Sequence, residues 1–442
     1  MKASEVRIPH DRVIVVIASL AASATILWLA RSFTFYYDEW TFIIGAPDWT
    51  WATFLQPHNV HPVMLTRAIY AALLATVGLH SYLPYMAVLL ALHATSVVLL
   101  FEVVRRRAGD LVGLGAAALL IVLGAGWEDL LWAFQIQFIG SVACGLGMLL
   151  ALQGQPRRRN RFLAAALLTA SLMFSGVGLF FGVAAAVQLA ATPGRRRDLV
   201  WFAPVAVALG AWFLAFGRSA APITPPSLAD IAALPLYVIW GLGASAGGLI
   251  GVGGFAGLAV LALAGLAVAV GWRRAGKVDA FGLGIAAGLV TFYAVTGLIR
   301  VQIGYQQSGA SRYSYPGAVF WLLLLADAAR YLPWRGTWRP AVVACLFLAC
   351  FSSGVLLFTF VIAKTVQMER QVADLQALAA ERGDPCLDPN GAVDPFVMPV
   401  ETSPALYYRA VDRYGDPSSG LPVVDRPDFD QARANLLTAG CK

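Results

Sequence analysis

Long apolar runs alternate with short arginine clusters along this chain, and that alternation leaves few folds open to it. Runs of about 17–23 residues, the length of a helix crossing ~30 Å of hydrocarbon, recur between residues 13 and 363. Between them stand Arg105-Arg106-Arg107, Arg157-Arg158-Arg159, Arg195-Arg196-Arg197 and Arg273-Arg274. Only 13% of the 442 residues are charged and 59% are hydrophobic, whereas an ordinary soluble domain carries about 25% charged residues. In lipid each backbone polar group must be satisfied within the protein, which a helix does within a single segment. The chain therefore reads as an all-α polytopic membrane protein. Residues 13–31 are too long for a signal-peptide core and lack a small-x-small cleavage site before Arg31, so they read as a retained span. The net charge of +7 sits at the ends of apolar runs. That is the positive-inside pattern of cytoplasmic loops, and it argues against a nucleic-acid partner.

Taking those clusters as cytoplasmic markers gives a topology. Lys2, Arg7 and Arg12 hold the N-terminus inside. Spans then fall near 13–31, 82–104, 109–126, 133–153, 162–177, 179–192, 199–217, 253–271, 279–298, 316–333 and 340–363. These make about 11 transmembrane helices and leave the C-terminus outside. Residues 32–81 form the first outer loop. Within it 63–79 is apolar but short and carries Arg67, and a crossing there would put Arg105–Arg107 on the wrong side, so it reads as a surface helix. Residues 226–250 are glycine-rich and lack an inside marker, and they read as an outer-face or partly re-entrant segment. The expected organisation is a membrane domain over 1–363 and an extracytoplasmic tail over 364–442, with a helix at 364–382. Cys386 and Cys441 bracket the polar part of that tail and read as a disulfide, while Cys144, Cys345 and Cys350 lie in apolar runs as packing residues.

The polar residues that remain gather on the outer side, in at least four loops. They include Asp38, Glu39, His58, His61, Arg67, Glu128, Asp129, Gln135, Gln137, Arg300, Gln307, Arg312 and Tyr313. If the loops converge, the protein has a polar cavity on one membrane face. A transporter would more often carry ionisable groups in mid-span, and the spans here are nearly free of them.

The first outer loop, "YYDEWTFIIGAPDWTWATFLQPHNVHPVMLTRAIYAALLATVGLHSYLPYM", has an acidic pair after the first span, a His/Pro turn and a surface helix. A span opening on a polar–Pro segment and closing in Arg105–Arg107 follows. This order resembles the start of the GT-C superfamily of integral-membrane glycosyltransferases, which take sugars from polyprenyl-phosphate donors. Glu128-Asp129 match the second acidic position of that family, and Arg312-Tyr313 match a late Arg-Tyr pair. Where many relatives have Lys-Gly this chain has Ser175-Gly176.

The resemblance implies a GT-C-like fold in a bacterial cytoplasmic membrane, with its site on the outer face. It implies transfer of a sugar from a polyprenyl-phosphate donor to a cell-envelope glycan or glycolipid, inverting the anomeric configuration. Asp38, with Glu39 beside it, would be the general base. Arg312, Arg300 and Tyr313 would hold the donor phosphate, for which arginine's planar fork is suited. His58, His61, Glu128, Asp129, Trp40 and Gln135 would contact acceptor or sugar. Each has a plainer reading as well: helix cap or ion pair for the acids, interface anchor for Trp40, structural hydrogen bonds for the histidines. No repeated Asp-x-Asp is present. No metal ligand is assigned, and a divalent cation (Mg or Mn) is left open as a cofactor. The rival readings are a flippase or transporter of a lipid-linked glycan and a non-catalytic binding protein on the same fold.

Overall fold

The computed structural model describes residues 7–220, 226–331 and 338–438. Nearly all regular structure is helical. After α1 (Asp11–Leu29) the first loop forms α2 (Asp38–Gly45), α3 (Trp51–Leu55), a hairpin of β1 (Pro57–His58) and β2 (His61–Pro62), and α4 (Met64–Thr76). The bundle continues with α5 (Leu83–Ala108), α6 (Asp110–Ile121), α7 (Trp127–Leu131), α8 (Ile136–Gln153), α9 (Arg158–Phe174) and α10 (Gly178–Ala191). It closes with α11 (Ala203–Ala215), α12 (Leu228–Gly248), α13 (Gly254–Ala275), α14 (Ala280–Arg300), α15 (Ser311–Ala329) and α16 (Trp338–Ala380). The tail holds α17 (Pro404–Tyr414) and α18 (Arg426–Leu436).

Seven of these helices are long and apolar enough to cross a membrane: α1, α5, α8 with its preceding turn, α12, α13, α14 and α16. An eighth arises if α6 and the Gly124–Leu131 segment, bent by 45°, count as one span. Helices α9, α10, α11 and α15 stand where crossings were expected at 162–177, 179–192, 199–217 and 316–333, but they fall outside that set, so about 11 crossings are not shown. Residues 226–250 are unlike the re-entrant segment expected, because their glycines do not break the helix. They form the single 21-residue helix α12, on which small residues let neighbours approach: Gly241 faces the Tyr293 ring and Gly247 faces Gly257.

Ion pairs tie the helix ends together at one end of the bundle. Arg107 of α5 bonds Asp279, which caps α14, at 2.5 Å and Asp327 of α15 at 2.7 Å. Arg330 reaches the same two carboxylates at 2.9 and 3.1 Å. Arg12 pairs with Glu102, and Arg161 and Arg195 both pair with Asp198. The Asp327 side chain is fully buried, so losing one partner would strand a charge, typically at a cost of about 3–5 kcal/mol. Because α5, α14 and α15 all have one end here, their other ends, Tyr82, Arg300 and Arg312, lie together at the opposite end of the bundle.

The tail is not a separate appendage. The expected span at 340–363 and helix at 364–382 are one continuous helix of 43 residues, roughly 65 Å long at ~1.5 Å per residue. It outruns a bilayer core and carries the tail back over the first loop. The backbone N–H of Tyr37 donates to Val397 O at 2.8 Å, and that of Leu79 donates to Tyr414 O at 2.8 Å. Tyr407 packs against Trp40 with ring centroids 5.5 Å apart, and Arg409 pairs with Asp48 at 2.7 Å. Gly78 has φ +66°, and a Cβ there would collide with Tyr414 O, so this docking needs glycine. The tail closes on itself where Thr438 N–H donates to Cys386 O at 2.9 Å. Cys441, the other half of the expected disulfide, lies outside the described residues.

Candidate functional site

Asp38 and Glu39 open α2, where carboxylates meet the positive end of the helix dipole. Adjacent residues on a helix point about 100° apart, and here the two acids separate completely. Glu39 turns inward and is fully buried. It accepts from Tyr70 Oη at 2.6 Å, from Tyr36 N–H at 2.9 Å and from Tyr82 Oη at 3.1 Å. Burial raises its pKa to about 7, against the opposing pull of those hydrogen bonds and of Lys364. Asp38 turns outward into a cavity of about 520 Å³.

That cavity gathers residues from six parts of the chain. Asp38 comes from α2, His58 and His61 from the hairpin, and Gln135 and Gln137 from the start of α8. Arg300 ends α14, Arg312 and Tyr313 begin α15, and Pro399 to Glu401 come from the tail. The hairpin pairs His58 directly with His61, so both imidazoles stand on one face. Arg67 of α4 fixes the hairpin's approach by donating to Thr53 O at 2.7 Å, Pro57 O at 3.4 Å and Gln56 O. His58 Nε2 stands 3.6 Å from Asp38 Oδ1, too long for a hydrogen bond but close enough to share a proton partner. His61 Nδ1 lies 3.4 Å from Ser175 Oγ. Burial and the nearby cations Arg300 and Arg312 hold His61 down to about 3, so it stays a neutral imidazole.

The cavity is polar and unsatisfied. His58 Nε2, Gln135 Oε1 and Gln137 Oε1 are buried without a hydrogen-bond partner, although buried polar atoms are normally paired. Arg300 makes no ion pair among the described residues. Glu128 stands behind Arg312: it accepts from the Arg312 N–H at 3.1 Å and lies 3.6 Å from Nε, while its own N–H donates to Ser311 Oγ at 3.0 Å. It caps α15 and aims the guanidinium.

A second cavity, of about 540 Å³ and almost wholly apolar, adjoins the first. Its walls are Leu172, Phe180, Leu209, Phe213, Phe292 and Ile299, from α9, α10, α11 and α14. His61, Phe138, Arg300 and Tyr313 line both cavities and form their junction.

Of the residues expected at a site, Asp38, His58, His61, Gln135, Arg300, Arg312 and Tyr313 meet in one cavity. Four do not line it. Glu39 is enclosed by tyrosines, and Trp40 is fully buried between Phe35 and Tyr407. Glu128 is spent on the α15 cap, and Asp129 is fully buried with neither carboxylate oxygen hydrogen-bonded. Tyr37, Asn59 and Glu401 also line the cavity; the first two stand in the first outer loop where polar and aromatic residues were expected, and only Glu401, in the tail, had no signal in the sequence. Gln137 was detectable, two residues after Gln135 at the same helix start. Among the described residues no three His, Cys, Asp or Glu side chains are grouped as metal ligands.

Together the fold and cavity define a multi-pass helical membrane protein with a two-part, polar-to-apolar cavity at one end of its bundle. No family model, curated protein or solved structure matches the chain.

Proposed function

We propose that the chain is a GT-C-type glycosyltransferase that moves a sugar from a polyprenyl-phosphate donor to an extracytoplasmic envelope glycan or glycolipid. The junction between the two cavities carries this reading. A prenyl chain matches the apolar cavity between α9, α10, α11 and α14, a sugar matches the polar one, and a phosphate between them would meet Arg300 and Arg312. Asp38 would take the proton of the acceptor hydroxyl as its oxygen bonds to the anomeric carbon. The bond from that carbon to the phosphate oxygen breaks on the opposite face, inverting the configuration. Arg300 and Arg312 balance the phosphate charge left behind, and His58 stands 3.6 Å from the Asp38 carboxylate. In this reading the arginine-rich end is cytoplasmic and the cavity opens outside a bacterial cytoplasmic membrane.

The test uses the full chain in lipid nanodiscs, supplied with a panel of polyprenyl-phosphate sugars and envelope glycan acceptors. Asp38→Asn is expected to slow transfer by about 100-fold or more. Arg300→Ala is expected to raise the donor KM by roughly 10–100-fold, the worth of a charge-assisted hydrogen bond. Undiminished turnover by the Asp38→Asn protein would remove the assignment.

A further inference from the structure

The tail builds a second recess, of about 980 Å³, between the outer half of α16, residues 392–397 and α18. The first unexplained feature there is Asp374. It is 2% exposed, lines the recess, and its Oδ2 has no hydrogen-bond partner. Asp394, equally buried, is fixed by Arg370 and by the N–H of Phe396 at 3.0 Å. Phe396 is the second feature. An aromatic ring 71% exposed is costly in water, and one face is covered by the Arg370 guanidinium, 4.6 Å from its centroid. On the opposite wall Gln431 and Asn435 present amides, linked to each other at 3.1 Å.

These chemistries select among ligands. The recess is far larger than a metal ion needs and lies at the top of the usual ~300–1,000 Å³ range for organic ligands. Glu369, Asp374, Asp394 and Asp428 outnumber Arg370, which disfavours phosphate or an anionic lipid headgroup. An unpaired carboxyl seeks a hydroxyl donor, amides exchange hydrogen bonds both ways, and an exposed ring offers a face to apolar C–H groups. A neutral pyranose or furanose chain satisfies all three.

The recess is also wired to the cavity. Residues 394–397 line it while 399–401 of the same loop line the cavity, and Val397 O accepts the N–H of Tyr37, the neighbour of Asp38. On the α16 side Gln367 donates to Tyr36 Oη at 2.8 Å.

We infer that this recess is a carbohydrate-binding subsite, holding inner units of a glycan acceptor while its growing end enters the cavity beside Asp38. Its role toward an acceptor rests on the transferase reading; its affinity for sugar does not. The test titrates the full chain in nanodiscs with four soluble hexasaccharides: α-1,4-glucan, β-1,4-glucan, α-1,6-mannan and α-1,5-arabinan. At least one is expected to bind saturably and to weaken 10-fold or more in Phe396→Ala and in Asp374→Asn. Phe396 is exposed, so its variant folds whether or not Asp374→Asn does. The inference is overturned if none of the four sugars binds. It is equally overturned if Phe396→Ala binds as wild type, or if calcium alone occupies the recess and sugar does not. Binding without any transferase activity would leave the subsite standing and sink the transferase alone.

Discussion

Tyr37 sets the chemistry of its neighbours. Its backbone, at φ +46° and ψ −117°, is one that a residue with a Cβ rarely adopts. The hydrogen bond to Val397 and the start of α2 hold it there, and the helix that follows turns Asp38 outward and Glu39 inward. Glu39 then carries a measurable consequence. Its folded pKa of about 7 lies above the ordinary 4.5, so the fold prefers the protonated acid. The stability this contributes is complete below about 4.5 and is lost as pH rises through about 7. Glu39→Gln keeps an acceptor for Tyr70 and cannot ionise. The free energy of unfolding in detergent should therefore match wild type near pH 4.5 and exceed it at pH 8, by on the order of 3 kcal/mol. A constant offset across that range would mean that Glu39 does not titrate there. In the sequence the two acids are indistinguishable, one polar pair in an aromatic stretch. What separates them is the roughly 100° step between neighbours on α2, whose start is held by a bond to Val397, 360 positions away.

Short elements do the positioning. The four residues from His58 to His61 place two imidazoles side by side because the hairpin pairs them, and the sequence spacing already implied a shared face. What spacing did not reveal is the brace: Arg67 crosses from α4 to collect the carbonyls of Thr53, Gln56 and Pro57. A short helix within 63–79 was legible from its length and charge, and Arg67 was one of the reasons for reading it so, but not for what it holds. Arg67→Ala should leave three carbonyls without their donor and destabilise the fold by about 1–3 kcal/mol. In a transfer assay kcat should drop more than donor KM rises, because His58 and Asp38 lose register while Arg300 does not. Arg67→Lys should rescue poorly, since one ammonium nitrogen cannot stand at both the Nη1 and Nη2 positions from which the carbonyls are reached. Full rescue by lysine would show that charge, not geometry, is what the hairpin needs.

At the scale of the molecule, apolar runs and arginine clusters were enough to place most helices. They were not enough for the tail, because a polar segment gives no hint that it will dock on a loop far away in the chain. The result is one long axis. Arg107, Asp279, Asp327 and Arg330 lock the helices at one end, and the cavity, roofed by residues 399–401, occupies the other. The proposed reading gives this axis a direction, since basic clusters stay on the cytoplasmic side. Single cysteines, in a chain whose native cysteines are replaced, read that direction. Ser419→Cys on the exposed tail should react with an impermeant maleimide in intact spheroplasts. Arg196→Cys, exposed at the arginine-rich end, should react only after lysis. The opposite pattern would turn the cavity toward the cytoplasm. An acceptor would then have to be intracellular, and the envelope-glycan assignment would fall even if Asp38 proved essential.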